Sequence, residues 1–309
     1  MHDKRKAEFI NYHKHGDGDC NGQVLRKYAE QNGLSEKDKF DLAYFYATTY
    51  CCASAVYMME HRDDIMLDTK VFAEKCKRLL IFQSDRKYVR MLDNLYKMLV
   101  NWRDFLSRGS ESFRNGIVDR GVVNTRAAIK IIEKWYFFSR FSAYLFIETY
   151  CDINGYAATR EKGLDYEGDS MTFAGGLFYV FNMDAEALYV QKHHKLPIDV
   201  GTFEFLIAEL QNAVSAAGGD ENLTKLETSL CAYEKFFKGT RYNGYYADRQ
   251  LQELKMMHGT PELRSACEAV YLARKVAIPL KYRGEDNGWD GIRPELKKYY
   301  RETGRVNGT

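Results

Sequence analysis

The sequence predicts an all-α protein, and three observations carry that prediction. Four prolines in 309 residues, with long runs free of glycine, leave too few turn formers for a fold of many short strands. Apolar residues recur at three- and four-residue spacing along much of the chain. A hydrophobic content of 45%, with aromatic residues at 14%, suffices to fill a sizeable core. The expected architecture is a single large helical domain, residues 1–309, around one long buried central helix. Residues 1–16 and 304–309 are expected to be flexible.

Along the chain, Phe40, Ala43, Tyr44, Ala47, Cys51, Ala55 and Met58 make one apolar stripe on a helix over residues 36–62. A shorter helix over 71–82 precedes a second stripe of Val89, Leu92, Tyr96, Leu99, Arg103 and Leu106. Residues 107–123, polar and glycine-containing, read as a loop. Asn124 and Thr125 are N-cap candidates for the central helix, 124–151, in which Ala128, Ile131, Trp135, Phe138, Phe141, Leu145 and Ile147 spread apolar surface over much of the circumference. A helix apolar all round is a buried helix.

Residues 154–183 are the least helical, with Gly155, Gly163, Gly168 and the Gly175-Gly176 pair, and are expected to supply a ligand-contacting loop. Helices follow over 184–194 and over 202–217, the latter closed by Gly218-Gly219. Others span 221–238, with Gly239 as stop, 246–258, about 260–277 and 294–303. Thr260 with Pro261 at the first turn is a start signal for the helix after it.

The net charge of +2 argues against a protein that coats polyanions along its whole length. Local charge is more informative: residues 77–130 carry twelve basic side chains against five acidic ones. Seven cysteines with no Cys-x-x-Cys pair indicate neither a disulfide framework nor a zinc ribbon, so reduced, mostly buried thiols are expected. The polar N-terminus and the lack of any apolar run near ~18 residues predict a cytosolic protein with no membrane partner.

Several motifs weigh little. Asp17-Gly-Asp19-Cys-Asn21-Gly22 matches the first half of a calcium-binding EF-hand loop, but the position that needs a bidentate glutamate holds Tyr28. A helix start explains it better. The pairs His13/His15 and His193/His194, at adjacent or alternate positions, point in different directions and read as solvated histidines rather than metal ligands. The glycine-rich phosphate loops, the His-Glu-x-x-His zinc motif and the Gly-x-Ser-x-Gly elbow do not occur. No metal and no cofactor is expected.

Three segments concentrate chemistry. On the central helix Arg140, Tyr144 and Glu148 fall at i, i+4 and i+8, with Phe137, Glu133 and Lys130 continuing the face. Ionisable groups on a core helix are costly unless paired or used, so an internal ion pair and the wall of a polar cavity weigh about equally. The second segment is Gly168-Asp-Ser-Met-Thr-Phe-Ala-Gly-Gly-Leu177, where small residues let backbone amides approach a ligand. In the third, residues 233–250, Lys235, Lys238, Arg241 and Arg249 are candidates to grip phosphates, and Tyr242, Tyr245 and Tyr246 to stack on bases. With 23 tyrosines in the chain, an inter-helix packing patch carries equal weight.

Four blocks give the chain a resemblance to the amino acid:DNA transferases of bacteriophages, also described as α-glutamyl/putrescinyl thymine pyrophosphorylases. They are Asp41-Leu-Ala-Tyr-Phe-Tyr-Ala-Thr-Thr-Tyr50, Arg140-Phe-Ser-Ala-Tyr144 with Glu148, the Gly168 to Leu177 segment, and the Arg241-Tyr-x-Gly-Tyr-Tyr-x-Asp-Arg249 core of the third segment. In order and spacing they extend over most of the chain. One departure stands out: where the family's glycine loop ends in a Ser-His-Arg-Asn-Gly-Leu-like run, this chain has Met171-Thr-Phe-Ala-Gly-Gly-Leu177, which lacks the histidine and the arginine.

The resemblance implies a transferase acting in a phage-infected host cytoplasm on double-stranded DNA that carries a modified pyrimidine. A 5-hydroxymethyluracil already activated as a pyrophosphate ester would exchange pyrophosphate for the amine of an amino acid or polyamine. That chemistry requires cations for the leaving group, a carboxylate for the amine's proton, and extrusion of the base. By resemblance Arg140, Arg241 and Arg249 meet pyrophosphate or DNA phosphates, and Glu148 or Asp248 is the general base. Asp169 holds the incoming ammonium, Tyr242, Tyr245 and Tyr246 stack against the extruded base, and Ser170 and Tyr144 are further substrate-binding residues. Arg86, Lys87, Arg90, Lys235 and Lys238 track the DNA backbone. A helical nucleic-acid-binding protein without catalysis, or a glycosylase-like helical enzyme, are the rival classes.

Overall fold

A computed structural model of the chain describes residues 2–15, 20–79, 88–159, 171–183, 199–237 and 245–278. These are almost wholly helical, as the composition predicts. In chain order the helices are α1 (His2–His15), α2 (Asn21–Gln31), α3 (Glu36–Thr49), α4 (Cys52–Glu60), α5 (Arg62–Leu67), α6 (Thr69–Leu79), α7 (Tyr88–Asn101) and α8 (Ser107–Ile117). They continue with α9 (Thr125–Ile132), α10 (Arg140–Asn154), α11 (Met171–Val180), α12 (Val200–Ala216), α13 (Leu223–Phe237), α14 (Tyr245–His258) and α15 (Arg264–Ala277). A π-helical turn, Trp102–Leu106, joins α7 to α8, and a 3-10 turn, Pro261–Leu263, precedes α15. Three two-residue strands, β1 (Val118–Asp119), β2 (Val122–Val123) and β3 (Ala157–Ala158), form a small sheet in that order, β1 antiparallel and β3 parallel to β2.

The chain falls into two compact units. One comprises Met1–Asp19, Arg160–Ala247 and Ile292–Thr309, the other Cys20–Thr159 and Asp248–Gly291. Each draws on separate stretches of sequence, so no composition shift or linker marks their limits.

In the larger unit α3 is buried on every side from Phe40 to Thr49, and α4 likewise from Cys52 to Met59. Its start is fixed by a capping box: Ser35 Oγ accepts from the Asp38 amide at 3.2 Å, and Asp38 Oδ2 accepts from the Ser35 amide at 3.2 Å. Its end is fixed by Tyr50, whose φ of 55° breaks the helical path before α4 resumes. All seven residues of the first predicted stripe are buried, but on two helices and, for Cys51, at the N-cap of the second. Asp41, buried in α3, accepts from Trp102 Nε1 at 2.9 Å, Lys37 Nζ at 2.7 Å and an Arg62 guanidinium nitrogen at 3.2 Å.

The expected central helix over 124–151 is in fact two helices, α9 and α10, separated by residues 133–139. Phe137 turns the chain with φ 61°. Aromatic packing explains the break. Trp135 reaches Phe40, Phe113 and Phe146, with ring centroids 6.0, 5.5 and 5.1 Å away. Phe138 stacks on Tyr44 at 5.1 Å. The turn lets both rings enter one cluster around α3, and those contacts outweigh local helix continuity. Phe137, Glu133 and Lys130 therefore do not extend the Arg140 face.

Two further expectations are corrected here. Residues 107–117 form α8 rather than a loop, because Phe113 and Ile117, at i and i+4, are buried. On α7 and the turn after it the buried set is Leu95, Met98, Leu99 and Trp102, while Tyr96, placed on the predicted stripe, is 41% exposed.

In the other unit, α1 replaces the flexible N-terminus expected for residues 1–16. Phe9 and Tyr12 are buried and their rings lie 5.2 and 6.3 Å from that of Tyr233. His13 is not solvated: it is buried, with Nδ1 2.8 Å from Ser229 Oγ and Nε2 2.6 Å from the Asp220 carbonyl. Gly175 and Gly176 lie inside α11, not in a ligand loop. A Cβ on Gly176 would sit 2.1 Å from the Leu230 carbonyl oxygen, and one on Gly175 2.5 Å from Glu234 Oε1. The glycine pair permits close packing of α11 on α13. Asp199 caps α12 through the Thr202 amide at 2.9 Å, and Gly218, φ 71°, follows its end. The expected helices over 184–194 and 294–303, together with His193, His194 and residues 304–309, lie outside the described residues.

Candidate functional site

Helix α10 packs its apolar surface against α3 and α2, burying Ala143, Leu145, Phe146, Ile147, Tyr150, Cys151 and Ile153. The described side chains that stay half-buried are Tyr144, Glu148, Asp152 and Asn154. Tyr144, Glu148 and Asp152 stand at i, i+4 and i+8, so a polar stripe runs along a largely buried helix. Arg140 opens the helix one turn before Tyr144; its side chain lies outside the described set.

The stripe leads to the N-terminus of α2. A Cβ on Gly22 would lie 2.0 Å from Asp152 Oδ2, so the carboxylate is seated against the glycine backbone. The adjoining residue, Asn21, is buried, and its Oδ1 accepts from Gln250 Nε2 at 2.6 Å and from Cys52 Sγ at 3.3 Å. Gln250 belongs to α14, where Asp248, Gln250 and Glu253 are buried and Arg249 is half-buried. Arg249 Nε donates to Glu253 Oε1 at 3.3 Å, one helical turn on. Arg274 of α15, fully buried, comes from a helix that packs on α2 and α4. A guanidinium remains charged at any physiological pH, so Arg274 places a fixed positive charge in the interior of this unit.

The structure thus links the end of the α10 stripe and the start of α14 through the first two residues of α2. Among the sequence candidates, Tyr144, Glu148, Asp248 and Arg249 belong to these elements. Tyr245 and Tyr246 lie at the first turn of α14, in the other unit, with ring centroids 5.6 Å apart in an edge-on pair. Tyr246 is buried. Lys235 donates to Cys231 Sγ at 3.3 Å on its own helix. Asp169, Ser170, Arg241, Tyr242, Arg86, Lys87 and Lys238 lie outside the described residues, as does the side chain of Arg90 on α7.

Asn21, Asp152, Gln250, Glu253 and Arg274 were not singled out in the sequence. Asp152 had a signal, its i+4 relation to Glu148. The others had none, because a buried Asn–Gln pair joins positions that no sequence period relates.

Burial holds two thiols of this unit in the protonated form. Burial pushes the Cys51 thiol up to about 12, with the nearby Glu253 carboxylate adding to the shift. Cys267 is likewise pushed up to about 12 by burial. A thiol that stays protonated is chemically quiet. The usable groups are carboxylates to accept a proton, guanidinium groups to meet an anion, and amides to orient. Among the described residues, no three His, Cys, Asp or Glu side chains cluster as metal ligands, and no helix is long and apolar enough to cross a membrane.

Compared with protein-family models and with curated proteins, the chain matches none.

Proposed function

We propose that this chain is a DNA-modifying transferase that replaces the pyrophosphate of an activated 5-hydroxymethyluracil with the amine of an amino acid or polyamine, acting in the cytoplasm of a phage-infected host. The observation that carries the proposal is the polar stripe of α10 meeting the Asp248–Glu253 stretch of α14 at the N-terminus of α2, since two of the four family-like blocks contribute to that seam.

Chemically, the attacking amine must lose a proton as its C–N bond to the exocyclic carbon forms and the C–O bond to pyrophosphate breaks. Glu148, half-buried on α10, is the base best placed for a solvent-borne amine. Asp248, more deeply buried, is the alternative. Arg249, with Arg140 at the head of α10, supplies cations for the departing pyrophosphate. Tyr144, one turn before Glu148, offers a ring and a hydroxyl to the extruded base.

The test is pyrophosphate release from DNA carrying pyrophosphorylated hydroxymethyluracil. Release that requires both the protein and an added amine supports the proposal, and Arg140→Ala, Glu148→Gln and Arg249→Ala variants are expected to be slowed. Normal rates in all three would sink the site assignment. Free base in place of pyrophosphate would indicate a glycosylase, and binding without turnover a non-catalytic DNA-binding protein.

A further inference from the structure

The hairpin of β1 and β2 pairs Val118 with Val123 and Asp119 with Val122, which leaves Arg120 and Gly121 as a two-residue turn. Both have positive φ, 47° and 79°, the conformation of a type I′ turn. Asparagine or glycine is the residue that this first position favours, and an arginine there is strained. The rest of the hairpin is well determined. The Asn124 amide donates to the Ile117 carbonyl at 2.7 Å, Ala157 donates to Gly121 at 3.0 Å, Thr159 donates to Val123 at 2.8 Å, and Val123 is fully buried. A rigid base therefore presents a strained, exposed arginine at its tip.

Beside the tip lies an open depression of about 440 Å³, with Asn115, Asp119, Arg120, Asn124 and Thr159 among its lining residues. None of the lining residues is aromatic. Asn124 also caps α9 through the Ala127 amide at 3.0 Å, so the positive end of that helix adjoins the depression. Arg126 and Lys130, exposed on α9, stand four residues apart on one face, about 6 Å along the axis. Exposed Asp119 and Glu133 are acidic side chains on the same elements, against the three cations Arg120, Arg126 and Lys130.

We infer that the Arg120 tip and this depression contact the phosphodiester backbone of duplex DNA, with Arg126 and Lys130 extending the contact along one strand. Amide and guanidinium donors around an open hollow suit a phosphate and its sugar. Tyr156 stands beside Gly121, but no aromatic ring lines the hollow, which favours a paired duplex there over a stacked single strand. The choice of DNA as partner rests on the proposed function. The strain at Arg120 is the mark of a side chain kept for contact, since asparagine would fit the turn better.

The experiment is fluorescence polarisation with a labelled, unmodified DNA duplex over a range of salt concentrations. Arg120→Asn is expected to weaken binding about three- to tenfold near physiological salt and to reduce the salt slope by about 1, while leaving the melting temperature unchanged or higher. Arg126→Ala should behave the same way in binding, and Lys70→Ala, an exposed cation on α6, should not. Wild-type affinity and slope in Arg120→Asn, or tighter binding of an RNA duplex than of the DNA, would overturn the inference. The assay needs neither amine nor activated base. A chain that binds through Arg120 but transfers nothing fails the transferase proposal alone, and one that transfers while Arg120→Asn binds normally fails this inference alone.

Discussion

Gln250 donates to Asn21 Oδ1 at 2.6 Å although 229 positions separate them in the chain. Both are buried, and the bond ties the first residue of α2, next to the Gly22 against which Asp152 of α10 is seated, to the second turn of α14, which carries Asp248. Asn21→Ala leaves the Gln250 amide only the weak Cys52 Sγ acceptor at 3.5 Å and is expected to cost about 1–3 kcal/mol. Urea unfolding measures this as a lower midpoint at constant slope. Adding Gln250→Leu should cost less than the sum of the two single changes.

The α11–α13 contact separates two kinds of glycine. Gly176→Ala places a methyl against the Leu230 carbonyl and is expected to destabilise by about 1–3 kcal/mol or more, since backbone cannot move aside as a side chain can. Gly109→Ala, inside α8 with nothing near its added Cβ, is expected to stabilise by about 0.5–1 kcal/mol. Thermal unfolding that shifts both variants the same way would contradict this packing.

His13 gives the fold an acid limit. Burial lowers its proton affinity below the ordinary histidine range, with Lys225 acting the same way and the Asp220 carbonyl partly opposing. The unfolded chain then binds the proton more tightly than the folded one. Stability from this group is complete above the unfolded value near 6.5 and is lost as pH falls through the lowered folded value. Unfolding midpoints measured from pH 7 to pH 5 should fall for the natural chain and fall less for His13→Gln.

Thiol accessibility offers a direct check on the cores. Six of the seven cysteines are buried and Cys231 is half-buried. A thiol-exchange reagent added to the native protein should label Cys231 first, and Cys51, Cys76 and Cys267, whose thiols burial holds protonated, only on unfolding. Rapid native labelling of Cys51 would contradict the seam as described.

How much of this was legible in the sequence depends on whether the deciding interaction is local. Apolar period located the start of α3, the Gly218-Gly219 stop the end of α12, and Thr260-Pro261 the helix after it, because these signals act within a turn or two. The break at Phe137 was invisible, since it exists to bring Trp135 and Phe138 to Phe40 and Tyr44, nearly a hundred residues earlier. The glycine pair misled for the same reason: its partner, Leu230, lies on another helix. For the candidate site, the period gave Tyr144 and Glu148 but not Asn21 and Gln250, whose pairing is purely tertiary.

The central claim, transfer of an amine to an activated base, is tested most directly by the masses of product nucleosides. DNA bearing pyrophosphorylated hydroxymethyluracil is incubated with the protein and a mixture of amines, then digested. The predicted result is a new nucleoside whose mass is that of the hydroxymethyl nucleoside plus one amine, less water, sharply reduced with Glu148→Gln. A digest that contains no amine adduct at any enzyme concentration would contradict the claim.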